Sequence, residues 1–144
     1  MAGVNLAVDM NSSKPNLNTQ LKLIVPKCRQ DFTVGTESNT VPNKYSPFIS
    51  KHSHRPKSIG TTVIYGGIEF RCLDDLQLMD YLILRHADGR EDEYRITKLE
   101  VADMPLGNVS ITIKRKELIL ITPWPLAGLF FPSNFNYLIT GEYV

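Results

Sequence analysis

Thr61-Thr62-Val63-Ile64-Tyr65-Gly66-Gly67-Ile68-Glu69-Phe70-Arg71-Cys72 is the stretch whose reading decides the fold. Two runs rich in β-branched and aromatic residues flank a Gly-Gly step. A two-residue I′ or II′ hairpin demands that pairing, because its central residues sit at positive φ. Working outward, 81–85 and 94–101 flank an Asp88-Gly89 turn and predict a second hairpin. Segments 109–113 and 118–121 flank Lys114-Arg115-Lys116-Glu117 and predict a third. A last strand is expected over 137–140, extending toward Tyr143. Only 73–79 could form a helical turn. Short strands spaced about 8–12 residues apart, without a βαβ alternation, place the chain in the all-β class. The expected body is a small antiparallel β-sandwich, Ig-like, or a barrel, over 59–144.

The first 58 residues follow other rules. They carry eight Lys or Arg against three acids, a charge of +5 in a chain whose total is +1. Residues 1–19 hold four Asn, two Ser and one Pro and show no periodicity. One short strand is expected at 21–25, where Leu21, Leu23 and Val25 alternate with Lys22 and Ile24 and stop at Pro26. Beyond it, prolines at 42, 47 and 56 punctuate a loop with isolated apolar residues. So polar a segment buries little and cannot by itself offset its ordering entropy. It is therefore expected to be a long extended basic arm that takes its order from a neighbour. Leu21, Leu23, Val25, Phe32, Tyr45 and Phe48 are its expected anchors.

The chemistry-bearing residues form no recognisable active site. His52-Ser53-His54 lacks further ligands to complete a metal site, and Arg55 and Lys57 repel a cation. His86 with Asp88, Asp92 and Glu93 reads as a solvated hairpin tip rather than an acid–base pair. Asp74 and Asp75 lack a calcium-loop spacing. Neither phosphate-binding glycine motif is present, and Ser110 and Thr112 have no triad partners. Cys28 and Cys72 form no motif; a disulfide between them is the lesser alternative, and two buried or inert thiols in a reducing compartment is the favoured reading. No cofactor and no metal are expected. The apolar, proline-broken 123–132 stretch, with Trp124, Phe130 and Phe131, reads as core or contact surface. It is too short to span a bilayer, so no membrane span is expected.

The Asn/Ser/Pro-rich arm before a compact antiparallel body with a charged Asp88-Gly89 tip resembles the small β-sandwich proteins of tailed-bacteriophage virions, the tail ring and collar subunits. That resemblance implies a non-enzymatic structural subunit of a virus particle, made in the host cytoplasm and assembling in rings by arm exchange. Its partners would be copies of itself and other virion proteins. Nucleic acid is not expected as a partner. Two rivals remain: a nucleic-acid-binding barrel tracking phosphates with the arm and Lys114 to Lys116, and a small hydrolase between the His86 loop and Asp103.

Overall fold

The computed structural model describes residues 21–36, 47–50, 59–103, 111–124 and 135–144. Eight strands close into one barrel: β1 (Leu21–Val25), β2 (Gln30–Thr36), β3 (Phe48–Ile49), β4 (Thr61–Tyr65), β5 (Tyr81–Arg85), β6 (Glu91–Asp103), β7 (Glu117–Pro123) and β8 (Phe135–Tyr143). The order around the barrel is β1-β2-β3-β4-β7-β8-β6-β5, with β5 returning to β1. Of the expected body, the all-β class and the barrel alternative are what the molecule adopts. It is a closed barrel and not a two-sheet sandwich. Closure joins the two ends of the sheet, with the two-residue β3 bridging β2 and β4, so that fewer backbone groups are presented to other chains than in an open sheet.

Two neighbours run parallel. β4 pairs with β7 from Thr61↔Glu117 to Tyr65↔Ile121, and β2 pairs with β3 at Gly35↔Phe48 and Thr36↔Ile49. The sequence explains the first pair in retrospect. Leu118-Ile119-Leu120-Ile121 is an unbroken apolar run rather than an alternation, the pattern of a strand buried on both faces. Leu118 and Leu120 join the interior core, while Ile119 and Ile121 join Val63 and Leu138 in a second buried cluster on the opposite face.

Two of the three expected hairpins need correcting. The Gly66-Gly67 step does not close a hairpin, because the chain after it winds into a 3-10 helix, Ile68–Asp75. Phe70, Leu73 and Leu76 then enter the main core from one end of the barrel. A Cβ on Gly66 would collide with the Phe70 ring, so the glycine serves close approach rather than turn geometry. The third hairpin is also absent among the described residues. Residues 111–113 form no strand, and β7 pairs with β4 and β8 instead. The second hairpin forms as expected, β5 against β6, with Gly89 at φ 90°.

Residues from the expected arm build three of the eight strands. β1 lies between β2 and β5, and Leu23, Val25, Phe32 and Val34 are core residues. The Phe32 and Phe70 rings meet edge to face at 5.3 Å. The segment is polar on average, yet its apolar residues alternate and fall on one face. That is sufficient for a barrel strand supported on both sides.

Candidate functional site

The strand directions define two ends of the barrel. β4 and β7 run in parallel toward the first end, which carries Gly66, Gly67, Thr122 and Trp124; the start of β8 reaches it as well. β1 runs toward the same end and leads into the turn Pro26–Cys28, closed by Arg29 N–H donating to the Pro26 carbonyl at 3.0 Å. The Ile68–Asp75 helix lies across this mouth.

Several polar groups converge here. Gly66 N–H donates to the Ile121 carbonyl at 2.9 Å, tying the end of β4 to β7. Gly67 N–H donates to Glu69 Oε1 at 2.6 Å, and the Thr122 hydroxyl donates to the Gly67 carbonyl at 3.3 Å. Glu69 Oε2 is buried without a hydrogen-bond partner. Leaving such an oxygen unsatisfied costs about 1–3 kcal/mol. The Trp124 ring packs on Tyr137 at 5.3 Å. Burial, and next the negative Asp74, push the Tyr137 phenol above its ordinary value.

Both cysteines of the chain lie beside this mouth. The Cys28 thiol donates to the Cys72 carbonyl at 3.0 Å, and both residues are half-buried against the core. Burial pushes the Cys72 thiol up to about 12, and the hydrogen bond and charge of the neighbouring Cys28 add to the effect. At neutral pH Cys72 is therefore protonated and a poor nucleophile.

The opposite end holds a separate charged cluster. His86 is only 4% exposed, and its Nε2 donates to Asp92 Oδ2 at 2.6 Å. Lys116 Nζ donates to the same oxygen at 2.8 Å and lies 4.5 Å from the centre of the Tyr143 ring. Burial alone would raise the Asp92 carboxyl. The hydrogen bonds and charges of Lys116 and His86 outweigh it and hold the carboxyl below its usual range. Beside this cluster, the Thr61 hydroxyl donates to Glu117 Oε1 at 2.8 Å, and Arg115 Nε donates to Oε2 at 3.2 Å.

The structure places the expected site residues as follows. Leu23, Val25 and Phe32 are interior, and Leu21 packs against the same core. Phe48 is half-buried with its ring 5.5 Å from Tyr65. Trp124 packs against the core at the mouth, whereas Tyr45, Phe130, Phe131, His52 and His54 lie outside the described residues. The expectation of a solvated His86 is corrected. The tip at Asp88 to Arg90 is exposed, but His86 turns inward to Asp92. The hydrolase site between the His86 loop and Asp103 is not assembled. β6 runs from one end of the barrel to the other, and its 13 residues put those groups roughly 40 Å apart. Sequence reasoning missed the Cys28–Cys72 meeting and Glu69. The signal for Glu69 was a single carboxylate inside an otherwise β-rich, apolar run.

Among the described residues no His, Cys, Asp and Glu side chains gather into a metal-binding group, and no helix is long and apolar enough to cross a membrane. The thiols at the mouth and His86 at the far end cannot form a Cys–His pair.

No protein-family model and no curated protein matches the chain. Solved structures do match, among them several sortases. Sortase A from Corynebacterium diphtheriae aligns with 88% of this chain and 60% of its own, at TM-score 0.73 and 14% identity. Sortase C from Clostridium perfringens SM101 aligns over 85% and 68%, at TM-score 0.71 and 15% identity. A Clostridium perfringens sortase D5, described as a transpeptidase, aligns over 88% and 79%, at TM-score 0.72 and 13% identity. The fold is thus the sortase barrel.

This overturns the resemblance to phage tail ring and collar subunits, and with it the non-enzymatic virion subunit, the ring assembly and the virion location. Short strands and a polar N-terminal segment are shared by many all-β proteins. The order in which strands pair separates those proteins, and composition does not record it.

Proposed function

We propose that this barrel is an acyl-transfer enzyme of the transpeptidase kind, receiving a peptide at the mouth where β4 and β7 end. The likeness to sortases over 88% of the chain, one of them described as a transpeptidase, is the observation that carries the reading. Such a reaction passes the acyl group of a peptide bond to a thiol, releases the amine leaving group, and hands the acyl group to a second amine. The chain has two thiols, and both flank the mouth. Burial holds the Cys72 thiol up, which favours Cys28 as the nucleophile.

The test incubates the full chain with a pool of short quenched-fluorescent peptides and hydroxylamine as acceptor, reading hydroxamate products by mass spectrometry. Products are expected from the parent chain and from Cys72→Ala, and a loss of at least about a hundredfold in Cys28→Ala. Absence of product from the whole pool, or undiminished product from Cys28→Ala, overturns the proposal.

A further inference from the structure

We propose that Cys28 and Cys72 are a redox pair, closing into a reversible disulfide that clasps the Pro26–Cys28 turn to the Ile68–Asp75 helix over the barrel mouth. The pair stands on geometry, and it does not depend on acyl transfer. The Cys28 sulfur lies 3.0 Å from the carbonyl oxygen of Cys72, so it already touches the residue it would bond. The two are 44 positions apart in sequence, and the fold brings them together.

Both partners sit on restrained backbone. Arg29 at φ 55° closes the first turn, and Lys27 Nζ bridges to Asp80 Oδ2 at 3.1 Å beside it. The helix is fixed by Phe70 and Leu73 in the core. Restraint on both sides keeps the two cysteines close to one another, as a disulfide between them requires. Half-burial leaves the sulfurs within reach of a small reagent.

The chemistry balances with a low-molecular-weight disulfide as oxidant. The Cys28 thiolate attacks one sulfur of oxidised glutathione and displaces one glutathione thiolate. The Cys72 thiolate then attacks the Cys28 sulfur and displaces the second. Two protein thiols are oxidised, one disulfide is reduced, and two protons leave. In the mixed disulfide Cys28 carries neither a proton nor a charge. The Cys28 hydrogen bond and charge that add to holding the Cys72 thiol up are then gone, while burial, the larger cause, and the Asp75 charge remain.

The full chain is incubated with oxidised glutathione, then digested without reductant. The expected result is a loss of both free thiols and a single crosslinked peptide pair containing Cys28 and Cys72. The intact chain should be lighter by two hydrogens, melt at a higher temperature, and revert with dithiothreitol. In Cys72→Ser the glutathione adduct on Cys28 should accumulate, since nothing displaces it. A parent chain bearing glutathione on both cysteines, a link between two chains, or two thiols that persist would each overturn the proposal. None of these readouts measures acyl transfer, so the two proposals fail separately.

Discussion

Asp92 shows how a single side chain can join distant parts of a sequence. It accepts from His86 on the preceding strand end and from Lys116, 24 positions later, and little of the pair is exposed. Replacing Lys116 by Met removes one donor and leaves a poorly solvated carboxylate with His86 alone, which should cost about 1–3 kcal/mol in urea denaturation at pH 7. The carboxyl is depressed in the folded state. Its contribution is therefore present above the unfolded value of about 3.9 and is lost as pH falls through the lower folded value. Lys116→Met should accordingly show a shallower loss of stability on the acid side than the parent. Denaturation midpoints between about pH 2 and 5 check this, and an unchanged acid limb would refute it. The residues of this cluster were visible in the sequence, but their meeting was not. His86 and Asp92 look like a turn until the strand pairing that delivers Lys116 is known.

Among the elements, the Ile68–Asp75 helix departs furthest from its local pattern. Ile68-Glu69-Phe70-Arg71-Cys72 alternates like a strand, yet it forms a 3-10 helix whose Phe70 ring fills the barrel end against Phe32. Tertiary burial outweighs the local preference here, because Phe70 and Leu73 become fully buried only when the segment coils inward. Phe70→Ala should remove about 3–5 kcal/mol, read as a lowered denaturant midpoint with an unchanged slope. A loss below about 1 kcal/mol would mean that the ring does not plug the core. By contrast, β1, β4 and the β5–β6 hairpin follow the rules of their own residues. The alternation of β1, the β-branched run of β4 and the Asp88-Gly89 turn were sufficient to find them. The unbroken apolar run of β7 was legible as a buried strand but was assigned an antiparallel partner, since no local signal names a parallel neighbour 50 or more residues away.

For the molecule as a whole, the barrel closes only when β1, β2 and β3 join strands from the later part of the chain. Deleting residues 1–58 would strip one partner each from β4 and β5 and expose two edges. The truncated chain should lose its cooperative thermal transition and aggregate, as followed by circular dichroism and light scattering. A truncated chain that stays monomeric and melts cooperatively would show that the barrel does not need its first strands. β8 is joined on one side to β6 and on the other to β7, and it is the last of the eight to leave the ribosome. Until it emerges, the earlier strands have no way to complete the circle, and their sticky flanks stay available to chaperones or to one another. Biosynthesis of this protein is therefore a race between the arrival of its final strand and the capture of an unfinished ring.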